Sequence, residues 1–222
     1  MVEEFHAELD KLNHEVIEMG SHAREMLAKS IESLKNRDVE LAQMIVDRKI
    51  EIACMDDAIE EKALQMLTLY QPMAIDMRRM GCILKMITYL NRIGRYAKDI
   101  ANITIDFNGA PHVNKLVAIP HMWKIVDEMI VDAMNAFEYG TVEKLSSFSD
   151  RDDDVDSMRY SIYREGISYM IENPSYIKQC THYIMIGRYL ERCADHAVKI
   201  AEKIYYMVEG KRVELDPACP RD

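Results

Sequence analysis

Two pairs of carboxylates near the C-terminal end of the chain have the spacing of a binding site. They are Asp152 with Asp156 and Glu191 with Asp195. Residues four apart in a helix project from the same face, so each pair would point one way. If the two helices pack side by side, all four carboxylates converge. They would then repel each other and raise one another's pKa values, a cost that a bound cation would remove.

The chemistry of these four side chains limits the metals that would suit them. Oxygen-only ligands favour hard ions such as Mg, Ca, Mn or ferric iron over a thiolate-bound zinc. A plainer interpretation stays open, because Arg159 and Arg192 stand close enough in sequence to neutralise the acids as surface ion pairs.

Other chemistry-bearing residues give weaker patterns. Glu3 and His6 form a single Glu-x-x-His motif, whereas a di-iron bundle needs two such motifs. His196 points about 100° away from Asp195 around the helix, which favours a surface or inter-helix hydrogen bond over metal ligation. His112 flanks a loop, where exposure is expected. The sequence contains no glycine-rich phosphate loop and no local signature of a nucleophilic triad, although a triad is a spatial arrangement that a sequence does not exclude.

Composition narrows the partners and the compartment. The net charge of −10 argues against nucleic-acid binding, which needs clustered cations. Five cysteines form no CxxC motif, and their odd number leaves one unpaired, which favours a reducing, cytoplasmic location. The N-terminus lacks a signal-peptide core, and no apolar run reaches the roughly 20 residues that span a membrane. No membrane insertion is expected.

Apolar residues at steps of three and four predict six long helices. The first covers about 3–35 and ends before Asp38, a predicted N-cap for a second helix that runs to about Leu69. Pro72 suits the start of the third helix, and "DFNGAPHVN", 106–114, is the strongest loop. The fourth helix ends near Tyr139 at Gly140, the fifth near Ile171, and the sixth includes Leu190.

The second half of the chain repeats the first. Four positions of the third helix correspond to four of the sixth, and Ile59 corresponds to Ile162: Leu90, Gly94, Ala97 and Ala101 match Leu190, Ala194, Ala197 and Ala201. We therefore predict an all-α fold of two tandem three-helix bundles, because short connections between helices favour antiparallel packing. The predicted units are 1–108 and 113–210, followed by a tail, 211–222.

The acidic residues do not follow this repeat. The positions of the first half that match the four acids hold other side chains, two of them cationic: Lys49, Ala53, Asn91 and Arg95. Because all four acids are absent together, they are best interpreted as one unit.

Four stretches in both halves carry a resemblance to a known family: "FHAELDKLNHEVIEMGSHAREML", "IEEKALQMLTLYQPMAIDMR", "YLNRIGRYAKDIAN" and "YLERCADHAVKIAEKIYYMVEG". The chain resembles the PhoU family of phosphate-uptake regulators over nearly its whole length. This resemblance implies pseudo-twofold symmetry between the bundles and a cytoplasmic, non-catalytic, negative regulator. Its implied partner is a component of a phosphate ABC transporter, joined in many bacteria by a sensor histidine kinase; a homodimer is compatible with it.

The resemblance also implies a metal site. Family members can carry a Glu/Asp-x-x-x-Asp motif in each half that binds metal clusters, often of iron. By position, Asp152, Asp156, Glu191 and Asp195 are the implied ligands in this chain, with Mg, Mn, Ca and Zn also open. One site is expected, because the first half has lost its acids. The alternatives are a metal-dependent enzyme built on the same carboxylates and a passive helical scaffold.

Overall fold

The computed structural model describes residues 2–113 and 116–215, which form seven α-helices and no β-strand. The helices are α1 (Val2–Asn36), α2 (Val39–Asp47), α3 (Lys49–Tyr70), α4 (Ala74–Phe107), α5 (Ala118–Tyr139), α6 (Phe148–Glu172) and α7 (Ile177–Glu209). Short 3-10 turns precede α6 and α7, at Glu143–Ser147 and Pro174–Tyr176. Cys219 and most of the predicted tail lie outside the described residues.

The structure divides the second predicted helix at Arg48. Asp38 caps α2 as predicted, its Oδ1 accepting the backbone N–H of Leu41 at 2.9 Å. The continuous helix to Leu69 is wrong, because α2 ends at Asp47 and α3 begins at Lys49. The Arg48 guanidinium donates to Glu25 of α1 at 3.1 Å, a tertiary contact that a linear pattern of apolar residues does not reveal.

Left-handed residues end α3 and α5 close to the predicted positions. Gly140 closes α5 at a φ of 65°, a conformation that glycine adopts without strain. Gln71 ends α3 at a φ of 48°, and α4 then begins at Ala74, two residues beyond Pro72.

The helices pack as two bundles in contact. In the first bundle, α1 packs against α2, α3 and α4; in the second, α5, α6 and α7 pack against one another. The bundles meet along α4 with α7 and along α1 with α5. The predicted repeat holds inside the core, where Ile52 and Ile59 of α3 are buried like their counterparts Val155 and Ile162 of α6. The predicted all-α fold of tandem three-helix bundles is confirmed; the unit boundaries, 1–108 and 113–210, stay a prediction.

Four stacked rings cross the contact between α4 and α7. Tyr89 stacks on His196 with centroids 5.5 Å apart, and Tyr96 stacks on Tyr189 at 5.6 Å. The two pairs are equivalent under the repeat, in which each α7 position lies 100 residues beyond its α4 match. Tyr189 is the counterpart of Tyr89, and His196 is the counterpart of Tyr96. Tyr96 and His196 stack on each other across the centre at 5.9 Å. His196 therefore makes ring-stacking contacts instead of the expected hydrogen bond. Within the described residues, its buried Nε2 atom has no hydrogen-bond partner.

His112 is not the exposed loop residue that the sequence suggests. Its Nε2 donates to the carbonyl of Leu34 at 2.9 Å, and its Nδ1 accepts from the hydroxyl of Tyr183 at 2.8 Å. The imidazole therefore joins α1 to α7, and the partial burial of the ring lowers its pKa. This is a contact between the bundles that no local pattern encodes.

Candidate carboxylate site

The contact between α6 and α7 brings three of the four predicted acids to one cluster. Arg159 of α6 lies at its centre: its Nε is 3.7 Å from Glu191 Oε1 and 3.8 Å from Asp156 Oδ1. Asp195 lies one turn beyond Glu191 on α7. Asp152 is partly buried one turn before Asp156 on α6.

Two arginines of α7 complete the cluster. Arg192 donates from Nη1 to Asp195 Oδ2 at 3.1 Å, and its Nε lies 3.7 Å from Glu191 Oε2. Arg188 reaches Glu191 Oε1 at 4.0 Å. In this arrangement Asp156, Glu191 and Asp195 are paired with guanidinium groups, as in the plainer of the two interpretations that the sequence left open.

Glu191 is the electrostatic centre of this cluster. Its side chain is only 13% exposed, and burial is the main cause that raises the pKa of its carboxyl group. The charge of Asp195 raises that pKa further, whereas the three arginines lower it. Glu191 Oε2 and Arg159 Nε are both buried, and in the described part of the chain neither has a hydrogen-bond partner. The arginines therefore do not fully offset the burial of this carboxylate.

The carboxylate oxygens of this cluster suit a metal ion, whereas the observed arrangement of the side chains favours ion pairs with arginine. Carboxylate oxygens suit a hard cation. Across residues 2–113 and 116–215, however, no three Asp, Glu, His or Cys side chains are grouped as a metal site requires. Arg159 lies against both Glu191 and Asp156, and its guanidinium stacks 4.3 Å over the ring of Tyr160. A cation bound by these acids would require that guanidinium to move.

The matching place in the first bundle holds a cluster of reversed charge. Lys49 Nζ donates to Asn91 Oδ1 at 2.9 Å, and Asn91 Nδ2 donates to Asp56 Oδ2 at 2.5 Å. Asp56 is the counterpart of Arg159, by the same offset of 103 that relates Ile59 to Ile162. The charge reversal between Asp56 and Arg159 was not predicted from the sequence, although the offset of 103 applied to charged positions reveals it.

The fold and these clusters define the class of the protein: an all-helical chain of two related three-helix bundles. A charged cluster lies between α3 and α4 in the first bundle and between α6 and α7 in the second. The chain belongs to the PhoU domain family, whose domain matches residues 16–104 and 119–204. Across the described residues, none of the helices has both the length and the apolar content that crossing a membrane requires.

Individual relatives agree with this assignment. The chain is 32% identical over 213 residues to a "phosphate-specific transport system accessory protein PhoU homolog" of Clostridium acetobutylicum, covering 96% of this chain and 97% of the relative. It is 33% identical over 210 residues to the protein of that name from Rhizobium meliloti, covering 93% and 87%. The crystal structure of PhoU from Pseudomonas aeruginosa superposes with a TM-score of 0.89 at 30% identity, over 93% of this chain and all of that one.

Proposed function

We propose that this chain is a cytoplasmic accessory regulator of phosphate uptake that docks on a component of a phosphate ABC transporter. The names of its relatives, which describe accessory proteins of phosphate-specific transport, support this role. A sensor histidine kinase as a second partner and the absence of catalytic turnover belong to the same proposal. Phosphoester turnover that Glu191→Ala abolishes would instead favour a metal-dependent enzyme.

An apolar stripe on α6 is the observation that carries the docking role. Four residues at steps of three, four and four are between 37% and 79% exposed: Tyr160, Tyr163, Ile167 and Ile171. Contiguous exposed apolar surface of this kind is typical of an interaction site. The matching positions of α3 hold Asp57, Glu60, Leu64 and Thr68. Only the second bundle keeps this face apolar, so its exposure is not a by-product of the repeated helical plan.

A pull-down with the cytoplasmic components of a phosphate transporter, with and without phosphate, tests this role. We expect Tyr163→Glu/Ile167→Lys to abolish capture, because it places charges within an apolar contact. The matched variant Glu60→Lys/Leu64→Lys changes the corresponding face of α3 and should leave capture intact. Equal capture by both variants would contradict docking through α6, and capture that ignores phosphate would contradict regulation by phosphate.

The four acids enter the proposal as a cation site that competes with Arg159. A hard cation, with iron the first candidate, would be held by oxygens of Asp152, Asp156, Glu191 and Asp195. The support is the buried Glu191 Oε2, which lacks a hydrogen-bond partner in the described residues, and the raised pKa of Glu191. The cation would supply the positive charge that the arginines do not fully provide.

Displacement of Arg159 would link this cation site to the docking surface. Its guanidinium stacks on Tyr160, the first residue of the apolar stripe. A cation that releases Arg159 would therefore alter the stripe. The cation would shift partner binding only if the cation-bound and cation-free forms of the stripe bind the partner with different affinities.

Metal analysis of protein purified without chelator tests the cation site. We expect Glu191→Gln and Asp195→Asn to lose the metal, and Arg159→Met to bind Mn²⁺ more tightly because no guanidinium competes. Asn91→Ala in the first bundle is the matched control and should change nothing. Wild-type protein without metal, or weaker Mn²⁺ binding by Arg159→Met, would count against the site while leaving the docking test intact.

A further inference from the structure

A separate basic cleft lies between α4 and α7, beyond the carboxylate cluster. It encloses about 500 Å³, within the range of small-molecule sites. Its cationic lining residues are Arg78 and Lys85 of α4, Lys203 of α7, and Arg212 in the segment after α7. Counted along α7, it begins about two helical turns past Asp195, so it is distinct from the carboxylate site.

The charge of this cleft is strongly positive although the whole chain carries −10. Glu202 is its one acidic lining residue, and its Oε1 already accepts from Lys199 Nζ at 3.1 Å and from the backbone N–H of Leu215 at 3.3 Å. Cations gathered in a cleft with protein walls attract anions more strongly than cations on an open surface.

Two of the guanidinium groups are held in place before any ligand arrives. Arg78 Nε lies 3.5 Å from the carbonyl of Met207, near the end of α7. Arg212 stacks over the ring of Tyr206 at 5.5 Å. Gly81 also lines the cleft and has no heavy atom within 4 Å of the place a Cβ would occupy, so the wall of the cleft is open there. Positioned groups lose less conformational entropy on binding.

The repeat shows that helical packing alone does not produce this cleft charge. The positions matching Arg78, Lys85 and Lys203 hold Lys178, Met185 and Ile103. The cations are therefore concentrated on one side of the contact between the bundles.

We propose that this cleft binds a nucleotide carrying two or three phosphates. A single phosphate group carries about 1.5 to 2 negative charges near neutral pH, so one group leaves part of the four cations unmatched. A di- or triphosphate provides the remaining charge and can accept paired hydrogen bonds from both guanidinium groups. The apolar lining residues Met77 and Val213 offer a surface for the base.

Isothermal titration calorimetry of the full chain in phosphate-free buffer tests this proposal. ATP, ADP, pyrophosphate, inorganic phosphate and adenosine are the probes. We expect ATP and ADP to bind more tightly than pyrophosphate, with inorganic phosphate and adenosine weakest. Lys85→Ala/Lys203→Ala should weaken ATP binding at least about tenfold, since each removes a charged donor. Lys85 is exposed and Lys203 is only half-buried, so the variant should retain its unfolding temperature without ligand.

Lys178→Ala is the matched control at the twofold-related position and should bind ATP like the wild type. A Kd for ATP above about 1 mM would overturn the proposal. Equal weakening by Lys178→Ala would overturn it as well, because binding would then follow net charge alone. If pyrophosphate binds as tightly as ADP, the base and ribose add nothing to the affinity. The proposal of a nucleotide would then be wrong, and the ligand would be a polyphosphate. None of these results depends on the transporter pull-down or on metal content.

Discussion

The inner charged clusters of the two bundles occupy matching positions with opposite charges. The first places Lys49 against Asn91 and Asp56, whereas the second places Arg159 against Glu191 and Asp156. Burial lowers the pKa of Lys49 in one and raises the pKa of Glu191 in the other. Each cluster therefore holds a charge that its surroundings disfavour, a cation in one and an anion in the other. One helical frame supports both, because the buried positions stay apolar in each half, as Ile52 and its counterpart Val155 do.

The outer faces of the same helices differ in a parallel way. On α6 the exposed stripe is apolar, and on α3 its counterpart begins with Asp57 and Glu60. If matched mutations in the two bundles have the same effect, that effect reflects the shared fold. If their effects differ, the difference reports on function.

The largest expected effect is the pH dependence contributed by His196, whose counterpart in the first bundle is Tyr96. His196 is 8% exposed, and burial, followed by the charges of Arg92, Arg192 and Arg95, lowers its pKa to about 4. The unfolded chain binds this proton near pH 6.5 and the native chain only near pH 4. Stability from the neutral ring is therefore present above pH 6.5 and is lost as the pH falls to 4, by ~3 kcal/mol in total.

Urea unfolding between pH 7 and pH 4 measures this effect. We expect the dependence to be smaller in His196→Tyr, which restores the residue type found at Tyr96 and keeps the ring stacking. Tyr96→Phe is the control and should retain the wild-type slope. A His196→Tyr variant with an unchanged slope would show that other groups dominate acid sensitivity.

An intermediate effect is expected from the central residues of the two charged clusters. Arg159→Met should lower the unfolding free energy of metal-free protein at pH 7 by about 1–3 kcal/mol, because it leaves the buried Glu191 with fewer cations. Asp56→Asn keeps an oxygen acceptor for Asn91 and should cost less than about 1 kcal/mol. Chemical denaturation of both variants checks the difference, and equal costs would mean that the inverted charges are energetically equivalent.

The smallest effect concerns Glu191 itself. A carboxyl whose native pKa is raised favours the native state below its unfolded pKa, and this contribution is lost as the pH rises through the native pKa. At pH 7 the charged form is therefore unfavourable, and Glu191→Gln should stabilise metal-free protein by less than about 1 kcal/mol. Repeating the denaturation with Mn²⁺ should reverse the sign. Destabilisation in chelator would indicate that the arginine pairs outweigh burial.

The sequence predicted the helical class and most helix ends because both depend on local chemistry. Steps of three and four located the buried stripes, Asp38 capped α2, and Gly140 supplied the left-handed residue that ends α5. The local predictions that failed concern residues that make tertiary contacts, namely Arg48, His112 and His196. Arg48 divides a helix while bonded to α1, and His196 lies in a ring stack that only the approach of α4 to α7 creates.

By itself, the sequence determined the tandem repeat, the family and the identity of the four acids, since spacing and residue type are properties of the linear chain. Only the tertiary structure decided that Arg159 reaches from α6 to Glu191, and that four cations line one cleft between the bundles. Charge interactions depend on distance and on burial. Both quantities arise between helices that are far apart in sequence, so they take their values only when the bundles are packed.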